Sequence, residues 1–140
     1  MNRLFICLVL VFGLAVTMAA QAPKGQQAKP TVSLKYVAAQ EALAADDFAK
    51  AKTALTDLAK ESQGEVKARA QAAADAANIA AMRKAFKPLS AAVIQMSLPE
   101  GHVVAFCPMY EGGASWVQKG QKVSNPYYGK SMLTCGEVKK

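Results

Sequence analysis

Four sulfur-bearing side chains lie close together near the C-terminus of the sequence: Cys107, Met109, Met132 and Cys135. Thiolates and thioethers are soft donors, and soft donors select Cu(I) and similar ions. Two thiolates can hold Cu(I) by themselves, and a thioether completes a three-coordinate site without adding charge. His102 lies just upstream and is a further candidate ligand. The pattern therefore predicts that these five residues bind Cu(I) or another soft metal ion.

The two cysteines also fit a second chemistry. In an oxidising compartment Cys107 and Cys135 would form a disulfide that closes a loop of about 28 residues and contributes roughly 3 to 4 kcal/mol in the chain-entropy model. Residue types alone do not choose between a disulfide and a metal site, and the two states can alternate with redox conditions. Either state requires a fold that brings the two cysteines together.

The N-terminus has the features of an export signal. Arg3 supplies a positive charge, residues 4–16 are almost entirely apolar, and residues 17–20 are mostly small. We therefore predict a signal peptide over 1–20 and a periplasmic or secreted protein. Its removal discards Cys7 and leaves an even number of cysteines. No later apolar run is long enough to span a bilayer, which predicts no stable membrane insertion after cleavage.

Composition divides the rest of the chain into three parts. Residues 21–32 contain Pro, Gly and Gln without a periodic apolar face, which is typical of a flexible leader. Residues 33–97 are rich in Ala, Lys, Leu and Glu, which favours helices. Residues 98–140 contain Gly, Pro, aromatic residues and the cysteines Cys107 and Cys135. We predict a single domain over 33–140, with a helical bundle followed by a small irregular segment.

The predicted fold class is mainly α. Residues 33–97 are expected to form an antiparallel up-and-down bundle of about four helices. Breaks and apolar faces place them at about 33–45, 47–61, 65–81 and 82–97. Asp46 and Asp47 are expected to cap the second helix, and Gly64 to end it. Pro88 is expected to kink the fourth helix or to mark its true first turn. The third helix should present a face of methyl groups: Val66, Ala70, Ala73, Ala77 and Ala80.

The C-terminal part predicts two or three brief strands between turns. Residues 103–106 are the best strand candidate, and Gly and Asn-Pro pairs mark the turns. Backbone pairing alone cannot stabilise so short a sheet. The residues expected to pack it onto the bundle are Phe106, Trp116, Tyr127, Tyr128 and Leu133.

Charge and motif content exclude two large function classes. The net charge is +7, from 17 Lys and Arg against 10 Asp and Glu, but the basic residues form no continuous stripe. We therefore expect no nucleic-acid binding. The sequence has one His, no recognisable catalytic triad, no phosphate-binding Gly loop and no Cys-x-x-Cys pair. These features predict a protein that is not an enzyme.

An ordered set of C-terminal residues resembles a known family. The set is Cys107-Pro108-Met109, Trp116, Asn125-Pro126-Tyr127-Tyr128-Gly129, Met132-Leu133 and Cys135-Gly136. It is similar to the signature of an exported bacterial domain of unknown function, found alone and at the C-terminus of membrane-fusion (adaptor) proteins of heavy-metal efflux systems. The resemblance covers about residues 33–139, because the helical half is similar too.

The resemblance implies periplasmic handling of copper or another heavy metal, with efflux components as partners. It also implies Cys107, Met109, Met132 and Cys135 as matching candidate ligands. The alternative is a non-catalytic interaction module, stabilised by a disulfide, that docks on an envelope or efflux partner.

Overall fold

The computed structural model describes residues 30–140. The signal peptide predicted over 1–20 and most of the leader predicted over 21–32 lie outside the described residues. Within the described part, four helices are followed by a small three-stranded antiparallel sheet. The predicted fold class, mainly α with short C-terminal strands, is therefore confirmed.

The four helices form the bundle in chain order: α1 (Pro30–Ala44), α2 (Phe48–Glu61), α3 (Gly64–Ala74) and α4 (Ile79–Ile94). Each helix packs against the next, and α1 and α4 also pack against the sheet. Helix α1 begins at Pro30, earlier than the predicted start at 33, because proline is well suited to the first position of a helix. None of the helices within 30–140 combines the length and apolarity needed to cross a membrane.

Side-chain caps explain where two of the helices begin. The Asp47 carboxylate accepts a hydrogen bond from the Lys50 N–H at 2.9 Å, which confirms Asp47 as the cap of α2. Asn78 caps α4 in the same way through the Ala81 N–H. Sequence reasoning missed this second cap. As a result, the predicted third helix, 65–81, begins close to the observed start of α3 but extends past the break before Asn78.

The third helix is shorter than predicted and ends at Ala74. Ala70 and Ala73 are buried as expected, but Ala77 and Ala80 are exposed because the chain turns before Asn78 and starts a new helix. The prediction that all five methyl-bearing residues share one buried face is therefore wrong at its C-terminal end.

Pro88 and Gly64 fall at different places in the helices. Pro88 lies inside α4, so of the two expectations it does not meet the second: the first turn of this helix is at Ile79. Gly64 does not end α2, which stops at Glu61; it begins α3 with a φ of 58°. A positive φ favours glycine because it has no Cβ.

Large apolar side chains fill the interior between the helices. Alanines lie between these side chains and allow neighbouring helices to approach closely. Burial of each large apolar side chain contributes roughly 1.5 to 3 kcal/mol to the free energy of unfolding. The large apolar residues of the helices with at most 1 % exposure are Tyr36, Leu43, Leu55, Leu58, Met82, Phe86, Leu89 and Val93.

The sheet has the order β2-β1-β3, with β1 (His102–Cys107), β2 (Ala114–Lys119) and β3 (Glu137–Val138). Both pairings are antiparallel. The strand predicted over 103–106 is confirmed and extends by one residue at each end. In the β1–β2 ladder Ala105 is paired with Trp116, whose side chain is fully buried.

The aromatic residues expected to pack the sheet onto the bundle behave differently from one another. Trp116 and Tyr127 are buried, and Phe106 and Tyr128 are half-buried. Leu133 is 39 % exposed, so its predicted role in packing is wrong. Its backbone is anchored instead, since the Leu133 carbonyl accepts a hydrogen bond from the Asn125 N–H at 2.7 Å.

Candidate thiol site

The two cysteines of the described region lie side by side. The Sγ atoms of Cys107 and Cys135 are 2.7 Å apart, although the residues are separated by 28 positions in the chain. Both are free thiols in this structure. Cys107 is 0 % exposed, whereas Cys135 is half-buried. The predicted proximity of the pair is confirmed, and Cys135 is the more accessible thiol.

Strand pairing positions the two thiols. Cys107 ends β1, where it is held in register opposite Ala114 of β2. Strand β3 begins at Glu137, which pairs with Phe106 on the other edge of β1. Because only Gly136 separates Cys135 from β3, this pairing brings the Cys135 thiol beside Cys107.

Gly136 allows the chain to approach β1 closely enough for this contact. Its φ is 127°, and a Cβ there would lie 2.6 Å from the Phe106 carbonyl oxygen and 3.1 Å from the Trp116 ring. A side chain at this position would push the backbone away from β1. Glycine therefore sets the short distance between the C-terminal segment and the strand that holds Cys107.

Asn125 organises the loop that leads to Cys135. Its side chain is 0 % exposed, and Nδ2 donates a hydrogen bond to the Cys135 carbonyl at 2.8 Å. Oδ1 accepts from the N–H groups of Tyr127 at 2.8 Å and Tyr128 at 3.2 Å. The turn was predicted from the Asn-Pro pair, but the contact between Asn125 and Cys135 was not.

The neighbouring Cys107 thiol raises the pKa of Cys135 above its ordinary value, and partial burial adds to this effect. The neutral thiol of Cys135 therefore persists to higher pH than a solvent-exposed cysteine would allow. Thiolates, not thiols, are metal ligands, so a metal ion bound by this pair would displace protons, and its affinity would rise with pH.

The methionines of the predicted ligand set are exposed. Met109 is 63 % exposed and Met132 is 38 % exposed. The Met132 carbonyl accepts a hydrogen bond from the Cys135 N–H at 3.0 Å, which places the Met132 backbone next to Cys135. The Met109 carbonyl accepts from the Tyr128 hydroxyl at 2.9 Å. These contacts position the two backbones and do not bring either thioether to the thiols.

His102 is placed differently from the rest of the predicted set. It begins β1, whereas Cys107 ends it, so the two residues are about 16 Å apart along the strand. The His102 Nδ1 atom lies 3.2 Å from the carbonyl oxygens of Pro99 and Glu100. The structure thus does not bring His102 to the thiols. Within 30–140, no three His, Cys, Asp or Glu side chains group into a metal site.

A chain of buried hydroxyl groups ties the thiol-bearing region to the bundle. The Tyr36 hydroxyl of α1 lies 2.6 Å from the Ser90 hydroxyl of α4, and Ser90 lies 3.1 Å from the Tyr127 hydroxyl. The Val117 N–H donates to Tyr36 at 3.3 Å, and the Ser115 carbonyl lies 2.9 Å from the Tyr127 hydroxyl. Both ends of the chain are therefore backbone groups of β2.

The Tyr127 hydroxyl is the donor at one end of this chain. The Ser115 carbonyl can only accept, and Tyr127 donates to it and to the Ser90 hydroxyl. In the contact between Tyr36 and Ser90 either hydroxyl can donate, and the Val117 N–H donates to Tyr36. All three buried hydroxyls therefore have hydrogen-bond partners. Burial raises the pKa of both Tyr36 and Tyr127, which keeps the phenols protonated as this arrangement requires.

Aromatic contacts surround the same hydroxyls. Tyr127 meets Trp116 edge to face with ring centroids 5.9 Å apart, and it stacks on Tyr110 at 4.7 Å. Tyr36 stacks on Phe86 at 5.0 Å within the bundle. Pairs of this kind stabilise by roughly 0.5 to 1.5 kcal/mol beyond the area they bury. Tyr127 therefore joins the loop, the sheet and the bundle.

An ion pair anchors the loop at a second point. The Asp46 carboxylate lies 2.6 Å from Nη2 of Arg83 and accepts a hydrogen bond from the Lys130 N–H at 3.1 Å. Arg83 also donates to the carbonyls of Leu43 and Pro126, each at 2.8 Å. Asp46 thus connects the bundle to the loop instead of capping α2 with Asp47. Nothing in the sequence around Asp46 indicated this role.

The Arg83 guanidinium, through its hydrogen bond, holds the pKa of Asp46 below its ordinary value, and the Lys130 N–H acts in the same direction. Gly129 lies against the pair with a φ of 57°. A Cβ at Gly129 would overlap the Asp46 carboxylate and the Arg83 guanidinium. The absence of a side chain here lets the loop reach the ion pair.

A cleft of about 590 Å³ lies at the other end of the bundle, between the start of α1, the α2–α3 corner and the end of α4. Its lining includes Glu61, Glu65, Val66 and Met96. None of its lining residues belongs to the thiol site. The thiol pair, at the end of the central strand β1, therefore lies outside this cleft.

No protein-family model, curated protein or solved structure matches the chain. Within residues 30–140, the chemistry that the structure offers is that of the two adjacent thiols and the loop that holds Cys135.

Proposed function

We propose that this protein binds a soft metal ion, Cu(I) above all, through the thiolates of Cys107 and Cys135, and that it handles this ion in the cell envelope in connection with metal efflux. The observation that supports the proposal is the convergence of two thiols that are distant in sequence, one of them half-buried, at the end of the central strand β1. Met109 and Met132 are exposed and lie close to the two cysteines in sequence, so their thioethers are further candidate donors of the same soft character.

Metal binding requires a small movement of one thiol. Metal–thiolate bonds are about 2.3 Å long for zinc, so an ion held between two sulfurs needs them roughly 4 Å apart, compared with 2.7 Å here. Cys107 is held in β1 by its pairing with Ala114 of β2, and its neighbour Phe106 is paired with β3 as well. Cys135 belongs to the loop between Met132 and β3 and is the residue that would move.

The link to efflux rests on the resemblance of the C-terminal motif to the exported domain described above. A half-exposed thiol is suited to ligand exchange, because an incoming thiol or thioether can reach the ion without unfolding of the protein. We propose that the partner which delivers or receives the ion presents such soft ligands. Catalysis has no part in this proposal.

The test is competition with a Cu(I) chelator, using the reduced protein without its signal peptide under anaerobic conditions. Cys107→Ser and Cys135→Ser should each abolish tight binding, because thiolates supply most of the affinity. Met132→Leu and Met109→Leu should weaken it by about tenfold or less. His102→Gln is the matched control and should leave the affinity unchanged. Equal affinity of the wild type and the double Cys→Ser variant would refute the proposal.

The second candidate is a disulfide-tied interaction module that docks on an envelope partner. The short sulfur separation and the full burial of Cys107 favour it, since a disulfide needs no space for an ion. Titration of free thiols in the exported protein as isolated separates the candidates. Two reactive thiols that Cu(I) protects support metal binding. No free thiol supports the disulfide-tied module.

A further inference from the structure

We propose that Asn125 is the positioning residue of the thiol site: it holds Cys135 over Cys107 and so controls how readily a thiol-seeking ligand reaches the buried Cys107. This inference rests on the proposed role of the thiol pair, but not on the identity of the ion. Its basis is the hydrogen bond from Asn125 Nδ2 to the Cys135 carbonyl and the full burial of Asn125.

The segment before Cys135 has little regular structure to hold it. Residues 120–136 contain one 3₁₀ turn, Gly129–Met132, and no strand. Asn125 replaces strand pairing with five hydrogen bonds. Its backbone N–H donates to the Leu133 carbonyl, and its own carbonyl accepts from the Gly129 N–H. The side chain supplies the other three, to Cys135, Tyr127 and Tyr128.

Of these five contacts, the one to the Cys135 carbonyl acts directly on a thiol-bearing residue. The others close the loop on itself and set the orientation of the Asn125 side chain. The Nδ2 donor therefore connects the closed loop to the site. If this contact is lost, Cys135 is held on that side by its N–H bond to Met132 and by the fit of Gly136 against Phe106.

The rate at which the buried Cys107 thiol is chemically modified measures how firmly Cys135 is held over it. Cys107 is 0 % exposed and touches Cys135, so a reagent reaches it only when the Cys135 segment opens. When opening is fast and reversible, the modification rate is proportional to the population of the open form. If the hydrogen bond to Cys135 is weakened, the population of the open form rises, and the modification rate of Cys107 rises in proportion.

The experiment uses the protein without residues 1–20, reduced and free of metal. It measures the rate at which iodoacetamide alkylates Cys107, and peptide mass spectrometry identifies the modified residue. Asn125→Asp keeps the oxygen that accepts from Tyr127 and Tyr128 but replaces the donor to Cys135 with an acceptor. We expect alkylation of Cys107 to become about tenfold faster, which corresponds to the loss of one hydrogen bond. A new negative charge would slow thiolate formation and so cannot mimic this increase.

Gln118→Glu is the matched control, because it also converts a buried amide to an acid. Gln118 donates to the carbonyls of Gly120 and Lys122 and does not contact Cys135. This variant should change the alkylation rate of Cys107 by less than about twofold. An equal acceleration in both variants, or none in Asn125→Asp, would overturn the inference.

A measurement on the wild type covers the case in which Asn125→Asp does not fold. If Cys107 is exposed by local opening of the Cys135 segment, its alkylation rate depends only weakly on urea below the unfolding transition, because little surface is exposed. A dependence as steep as that of global unfolding would contradict the inference. These rates are independent of metal, so they stand even if the wild type binds no Cu(I).

Discussion

The helical region (residues 30–94) and the C-terminal region (residues 98–140) bury their interiors in different ways. The helices bury apolar side chains, many of them alanine, at regular helical spacing. The C-terminal region buries two amide side chains, Gln118 and Asn125, and satisfies them through hydrogen bonds to nearby backbone groups. Periodic burial tolerates exchange among apolar residues of similar size, whereas each buried amide needs its particular partners.

Two polar residues buried in the helices bond to the C-terminal region. Gln40 of α1 donates to the Ser124 carbonyl at 2.6 Å, and Ser90 of α4 accepts from Tyr127. Ser90 also bonds to Tyr36 within the bundle. Gln40 is therefore better explained by what docks on the bundle, whereas Ser90 serves both the bundle and the C-terminal region.

The largest effect is expected where the two regions meet, at Phe86. This buried ring stacks on Tyr36 and lies 6.1 Å from the Tyr127 ring, so Phe86→Ala should lower the free energy of unfolding by about 3 to 5 kcal/mol. Leu34→Ala is the control, because Leu34 is largely exposed on α1. Urea denaturation measures both variants. A loss of less than about 1 kcal/mol for Phe86→Ala would show that the regions do not share this core.

A smaller effect is expected from single hydroxyl groups. Tyr127→Phe removes the donor to the Ser90 hydroxyl and to the Ser115 carbonyl, and it should cost about 1 to 3 kcal/mol because the Tyr127 hydroxyl and Ser90 are buried. Tyr128→Phe removes one exposed bond to Met109 and should cost under about 1 kcal/mol. The comparison uses urea denaturation of both variants. Equal losses of unfolding free energy in the two variants would mean that the buried Tyr127 hydroxyl stabilises the fold no more than the exposed Tyr128 hydroxyl does.

The smallest effect is expected at the Asp46–Arg83 ion pair and depends on pH. Because the folded-state pKa of Asp46 is lowered, its contribution is fully present above the ordinary value of 3.8 and is lost as the pH falls through the lowered pKa. Asp46→Asn should therefore lower the urea midpoint at pH 6. The difference from the wild type should shrink below pH 3.8. A difference that stays constant down to pH 2 would exclude this contribution of the carboxylate.

The sequence predicted the helical region well because burial there is periodic. The positions of Leu55, Phe86 and Leu89 follow directly from helical spacing. The error in the third helix came from Asn78, whose side chain starts a new helix within a run of residues that all favour helix. Alanine-rich sequence has no periodic signal strong enough to mark such a break.

The candidate site was predictable in its residue types but not in its construction. The even cysteine count after removal of Cys7 pointed to a pair, and the structure places Cys107 and Cys135 in contact. The roles of Asn125 and Asp46 depend on partners distant in sequence or on the exact path of a loop. No local spacing encodes such contacts.

The hydroxyl chain also has a consequence for the order in which the protein can fold during synthesis. A ribosome releases α1 and α4 before β2, so Tyr36 and Ser90 emerge before the Val117 N–H and before Tyr127. A nascent chain that ends after α4 can form the bond between Tyr36 and Ser90 but lacks the Val117 N–H and the Tyr127 hydroxyl that bond to them in the finished fold. We therefore expect the bundle to reach its final packing only when the last third of the chain has emerged. The helices and the sheet that contains Trp116 should accordingly form and unfold together.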